Sequence, residues 1–388
     1  MNVLLIILII GIFFLLLKLL KSFNANILIT IIASLIVIAI IYSPKECIES
    51  ALSGAKLFYY KVFPSSFPFL VISNIIVAYD GIYIYSKLLG KIICKPLKLP
   101  VECSLVLIIS ILCGYPLGAK YTCDLYEAGI VDEKCAQRLL NIASNASPLF
   151  LVGAVGTAML NDHRLGYLLL ASNSLSCIVI GLITSINVKT FSKKTIKVNS
   201  FKDKNIGSVM KDSIDNAIKV TISVFGFVVL FSVLNSIISN SYIYKGILEF
   251  ACSTFKLPKE LCQSFTLGII EMTNGCNLVV SSNFSLTLKL LLISFLTTFS
   301  GFSIVAQVHS FTYKYNFSMK KYITLKFFQG IICSFITMIL YFLTKSMLTV
   351  TTFYQENYIN NINVIIVLIL LSLIPFANYW LKNLFRRI

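Results

Sequence analysis

The chain has 388 residues, 57% of them hydrophobic and 13% charged, with a mean hydropathy of +0.87. A soluble domain carries roughly 25% charged residues, so one aqueous core cannot absorb this sequence and lipid must solvate most of it. The formal net charge of +17 does not point to nucleic acid, because Lys and Arg gather just beyond apolar runs, at 18–21, 87–98, 189–204, 314–321 and 382–387. That is the positive-inside pattern of cytoplasmic loops facing anionic lipid.

In chain order, residues 2–17 and 26–42 are apolar runs with no small-residue cleavage site between them, so both read as retained spans (domain 1–45). Residues 46–187 form a first repeat, 188–208 a basic cytoplasmic linker, 209–347 a second repeat, and 348–388 a last span with a basic tail. Four features recur in the same order on both sides of the linker. Tyr83-Ile84-Tyr85, Cys94 and Lys98-Leu99-Pro100 match Tyr242-Ile243-Tyr244, Cys252 and Lys256-Leu257-Pro258. Upstream, Ala55-Lys56 matches Ala217-Ile218-Lys219. Downstream, a polar break at 114–120 matches one at 271–277, and a break at 145–148 matches one at 300–303. Paired halves with interrupted apolar segments are the mark of secondary transporters. Residues 67–77 and 82–94, joined by a polar turn at 79–81, are too short for two spans and read as a re-entrant hairpin. Placing each Lys cluster inside makes the halves inverted. The fold class is therefore an all-α polytopic membrane protein with two inverted repeats, re-entrant hairpins and broken helices.

The breaks supply the candidate substrate-binding residues. Gly114, Tyr115, Pro116, Gly118 and Lys120 combine backbone freedom, a missing donor and a cation. They read either as an anion site or as a surface turn with a snorkelling lysine. Asn145 and Ser147, before Pro148, cap the run 149–159 and aim a helix dipole at membrane depth. Glu271, with Thr273, Asn274 and Gly275, places a carboxylate in an apolar context, to bind a cation, take a proton, or pair with Lys120 or His309. Ser300, Gly301, Ser303 and Gln307 interrupt the run 290–311, and His309 is expected at the surface. The amphipathic stretch 124–141 reads as one interfacial helix with solvated charges. Eleven Cys, none in a Cys-x-x-Cys pair, and two distant His indicate neither a disulfide framework nor a metal site, and no cofactor is expected. No nucleophile–base string suggests an enzyme.

Several of these strings resemble the YlbJ family of sporulation integral membrane proteins. They are Phe67-Pro68-Phe69 with Ile72-Ser73, Gly114-Tyr115-Pro116-x-Gly118-Ala119-Lys120, and Asn145-x-Ser147-Pro148-Leu149-Phe150 with Gly153-Ala154-Val155-Gly156. The second half adds Glu271-Met272-Thr273-x-Gly275 and Gly301-Phe302-Ser303-Ile304-x-Ala306-Gln307-Val308. The resemblance spans roughly residues 50–341. It implies two nucleoside-recognition "Gate" regions similar to the core repeats of concentrative nucleoside transporters, which speaks to fold kinship and not to substrate. It further implies a role in endospore formation, moving dipicolinic acid out of the mother cell across the outer forespore membrane. The expected partners are a small anionic substrate and the lipid bilayer, with no nucleic acid; a homo-oligomer is left open. Tyr115 or Phe302 would supply an aromatic wall. The competing readings are an ion-coupled nucleoside-like transporter and a non-transporting membrane scaffold.

Overall fold

The computed structural model describes residues 25–79, 81–185 and 205–350. The expected span at 2–17, Asp80 of the polar turn, the linker core at 186–204 and the segment from 351 onward lie outside the described residues. Every regular element among the described residues is helical, as lipid requires of a chain that must satisfy its own backbone groups. Four helices are long and apolar enough to cross a membrane, or five if one bent pair counts as a span.

The first described helix, α1 (Ala25–Tyr42), meets α2 (Pro44–Leu57) at 104°. Pro44 lacks a donor and holds Ser43 out of the helical region, which breaks the run there. From Pro44 the chain stays helical through a π-wound turn, Phe58–Val62, into α3 (Phe63–Ala78). The π turn lies just ahead of Pro64 and Pro68, whose missing donors it precedes. The run 67–77 is thus the end of one long helix and not the short arm of a re-entrant hairpin. Two short helices follow, α4 (Gly81–Leu88) and α5 (Gly90–Cys94).

A 3₁₀ turn, Val101–Cys103, leads into α6 (Ser104–Cys113), then α7 (Leu117–Glu127), α8 (Glu133–Ile142), the π-wound α9 (Leu149–Met159) and α10 (His163–Ser185). Beyond the linker come α11 (Ile206–Asn240), α12 (Tyr242–Phe255), α13 (Lys259–Ile270), α14 (Met272–Ser281), α15 (Leu286–Phe299), α16 (Gly301–Thr312) and α17 (Met319–Val350). The aligned Lys-Leu-Pro strings share a backbone. Lys98 and Lys256 both adopt left-handed conformations, φ 48 and 52. The next residue bonds back identically, Leu99 N to Cys94 O at 3.0 Å and Leu257 N to Cys252 O at 3.1 Å.

Contacts along the long helices fix the path. The run α2–α3 lies antiparallel on α11, with Gly54 against Ser232 and Asn74 Nδ2 donating to Ser213 O at 3.2 Å. α10 runs back along both α8 and α9: Arg138 reaches Gly181 O, Cys177 reaches Ile142 O, and Gly166 abuts Gly156. α17 runs back along α15, through Ser334 to Leu291 O, after a turn in which Thr312 Oγ1 reaches Met319 Sδ. So α8–α9 and α15–α16 each traverse the molecule as one interrupted crossing. α6–α7 and α13–α14 instead turn back, at Gly114 and Glu271. The outer end of α7 lies where α16 ends, joined by Tyr315 donating to Glu127. The outer end of α14 lies where α15 begins. The two hairpins therefore enter from opposite faces.

The expected interfacial helix at 124–141 is corrected on two points. It is broken by a turn at Gly129 (φ 66), and Asp132 caps α8 by accepting from Cys135 N at 2.7 Å. Moreover, α8 is buried from Cys135 to Ile142. Arg138, only 7% exposed, donates to Leu97 O (2.6 Å), Lys98 O (3.3 Å), Gly181 O (3.3 Å) and Thr184 Oγ1 (3.5 Å). Its charge is spread over carbonyls instead of being solvated. Asp124, Glu133 and Lys134 do face outward.

Candidate functional site where the helix breaks meet

Within each half, the two breaks touch. Gly114 (φ 75) and the cis Tyr115–Pro116 peptide end α6. Tyr115 N donates to Asn145 O at 2.7 Å, and a Cβ on Gly114 would stand 2.6 Å from Ser147 N. Gly118 is pressed so hard on Ala143 O that a Cβ would come within 1.4 Å of it. In the second half, Ser300 (φ 74) and Gly301 (φ 75) adopt successive left-handed conformations. A Cβ on Gly301 would lie 3.1 Å from Ile269 O and 3.3 Å from Met272 N, against the Glu271 break. At Gly114 and Gly301, which combine a positive φ with backbone pressed against the Cβ position, only glycine fits.

The halves then meet at those breaks. Tyr115 OH reaches Met272 Sδ (2.6 Å) and donates to Thr297 O (3.2 Å). Tyr322 OH pairs with Ser144 Oγ at 2.6 Å and with the Ser300 hydroxyl, joining the second break of each half. All four interruptions therefore surround one buried polar centre.

Glu271, 4% exposed, caps α14: its carboxylate accepts from Thr273 N (3.1 Å) and Asn274 N (2.8 Å). Neither Lys120 nor His309 pairs with it. Lys120 instead bonds Asp124 at 2.8 Å, one helical turn on, with its ammonium over the Tyr121 ring. Ser147 Oγ caps α9 by accepting from Phe150 N at 3.2 Å, as its position before Pro148 predicts. Gly275 is the crossing point of α13 and α14, where its Cβ would meet Gly268 Cα at 2.2 Å. Gln307 and Ser303 are buried one turn apart within α16, bonded at 3.4 Å, and leave Gln307 Oε1 without a partner. Neither Gln307 nor His309 interrupts the helix, and His309 faces outward as expected. Phe302, 45% exposed, faces away from the centre that Tyr115 occupies.

The sequence reading missed the strongest charge at this centre. Lys326 of α17 is fully buried, donating to Ser144 O and to Gln329 Oε1 (2.9 Å), with Cys177 and Cys333 nearby. Gln329 in turn donates to Asn145 Oδ1 (3.2 Å) and Ser176 Oγ (3.4 Å). No carboxylate faces Lys326 among the described residues. A cation at membrane depth costs about 2.5–3.5 kcal/mol on the lenient insertion scale and marks function by default. The available signal was Lys326 with Gln329 three residues on, one helix face inside the apolar run after residue 322.

Outside the centre, α7 and α16 are fastened at their outer ends. Tyr315 donates to Glu127, and burial first, then that carboxylate, push the Tyr315 phenol up. Gln137 Oε1 accepts from Ser318 N at 2.6 Å. A cavity of about 310 Å³ lies alongside, lined by Lys120, Asp124, Glu127, Ser310, Lys314 and Tyr315 among others. At the opposite face, Asp162 precedes α10. Burial raises its carboxyl, but Arg164, bonded at 3.0 and 3.1 Å, outweighs that and holds it below the usual range. Among the described residues no three His, Cys, Asp or Glu side chains gather to hold a metal.

The chain is similar to the sporulation integral membrane protein YlbJ of Bacillus subtilis (strain 168), with 28% identity over 323 residues, 78% of this chain and 79% of that protein. No protein-family model matches the chain, and no solved structure matches it. The similarity supports the YlbJ resemblance. With the apolar helices of spanning length, it supports a multi-pass membrane protein.

Proposed function

We propose that this protein is a sporulation membrane transporter for a small organic anion, with dipicolinate the first candidate, moving it out of the mother cell across the outer forespore membrane. The observation that carries the reading is the convergence of four interrupted helices on one buried polar centre. Interrupted backbone at membrane depth is sustained only where protein or a water-filled cavity satisfies it, and transporters place their substrates there. A scaffold has no use for such a centre.

The two halves act as inverted repeats, akin to the core of concentrative nucleoside transporters. A dianion leaving a negative-inside compartment gains about 2.3 kcal/mol per charge per 100 mV, roughly 4–5 kcal/mol in all, so export needs no coupling ion. Glu271 then serves as the α14 cap and need not bind a cation.

The test is purified protein in vesicles loaded with dipicolinate, with release followed by lanthanide luminescence. Release above that of protein-free vesicles, accelerated by a potential negative on the loaded side, supports the reading. No release under either potential returns the protein to the scaffold class. In sporulating cells lacking the gene, dipicolinate should be made and remain in the mother cell.

A further inference from the structure

We propose that Lys326 is the substrate's counter-ion: its ammonium, with the Gln329 amide beside it, receives a carboxylate of the transported anion. The assignment rests on the transport reading above and names the residue that gives it charge selectivity.

Lys326 and Gln329 sit three residues apart on α17, on the face turned to the break between α8 and α9. Lys326 is buried completely, yet its hydrogen-bonding partners are neutral oxygens: the Ser144 carbonyl, at the break between α8 and α9, and Gln329 Oε1. Neutral acceptors satisfy hydrogen bonds without cancelling a charge, so the centre retains an uncompensated cation. Those two oxygens occupy the places that a bound carboxylate's oxygens would take. The Ser144 carbonyl belongs to an interrupted segment, and its neighbouring hydroxyl is held by Tyr322, which also bonds Ser300 of the other half. An anion displacing Ser144 O from the ammonium therefore disturbs the contact that holds the two second breaks together. Recognition and release of the halves share one residue.

Three other cations of the described residues are engaged elsewhere. Arg138 spends its donors on four fixed acceptors, Lys120 pairs with Asp124, and Lys289 donates to Val280 O at 2.7 Å.

The experiment compares dipicolinate with its neutral isostere, pyridine-2,6-dicarboxamide, in vesicles carrying wild-type protein, Lys326→Gln or Gln329→Glu. Lys326→Gln removes the cation, whereas Gln329→Glu neutralises it from within and leaves the lysine in place, so the two variants fail in different ways if folding is the problem. Each variant is first shown to be monodisperse in detergent. The expected result is a wild-type preference for dipicolinate that falls by about 30-fold or more in both variants, as for loss of one buried charged partner. Flux of the dicarboxamide should persist. If both compounds slow together, or if the preference is unchanged, Lys326 is a structural tether and the assignment fails while transport stands. Wild-type vesicles that move neither compound defeat the transport reading, and this assignment with it.

Discussion

At the scale of single residues, buried charge divides into three kinds. Glu271 is held by a helix end, Arg138 by four neutral acceptors that use its fork of donors, and Lys326 by two neutral oxygens, one of them at a helix break. The first two are architectural, which sets their mutants apart. Glu271→Gln keeps one of the two oxygens that now accept separately from Thr273 N and Asn274 N, so it should keep most of its anion flux and lose about 1 kcal/mol of stability in detergent. Glu271→Ala loses the cap and should cost about 1–2 kcal/mol. An ion-coupled importer would behave differently, with flux stopping at Glu271→Gln. Arg138→Met strands the Leu97 and Lys98 carbonyls, while Gly181 O keeps Thr184 Oγ1, and thermal unfolding should report a loss of about 1–3 kcal/mol for each acceptor left dry. Legibility at this scale was uneven for a physical reason. Glu271 stands alone in an apolar run and Ser147 precedes a proline, so each announces itself locally. Arg138 looked like one more charge on an amphipathic face, because periodicity cannot say whether that face meets water or carbonyls. Lys326 was hidden by the basic residues just before it, Lys320 and Lys321, which mark a membrane boundary and invite the eye to stop there.

At the scale of elements, the breaks were readable and the segments between them less so. Gly114, Pro116, Ser300 and Gly301 interrupt apolar runs in ways that helix chemistry forbids hiding. The helical continuity from Pro44 to Ala78 was not readable, because Pro64 and Pro68 resemble terminators until the π turn ahead of them is known. The close hairpins give a sharp prediction. Gly275→Ala drives a methyl into Gly268 and should separate α13 from α14, lowering the yield of monodisperse protein in fluorescence-detected chromatography. Gly226→Ala, on the open side of α11 with nothing near its Cβ, should be neutral or stabilising by up to about 1 kcal/mol.

At the scale of the whole molecule, α7 of the first half pairs with α16 of the second, and Glu127 with Tyr315 closes that face. Tyr315→Phe removes the donor and leaves the ring. The outer face should open more often, and Cys123, buried beside Phe311 and lining the adjacent cavity, should react with a water-soluble maleimide about fivefold faster for ~1 kcal/mol lost. Unchanged labelling would mean that the packing of Tyr126 on Tyr315 and Phe317 holds the face shut without the hydrogen bond.

The same pairing recurs at the other face, where α14 meets α9. Each of these contacts is thus assembled from one hairpin arm and one half of an interrupted crossing, with the contributing halves exchanged. On the transport reading proposed above, a passage whose two doors are hung from like parts has no ratchet in its backbone. Its direction must come from the solutes and the voltage on either side, and vesicles holding the protein in either orientation should empty at comparable rates under the same driving force.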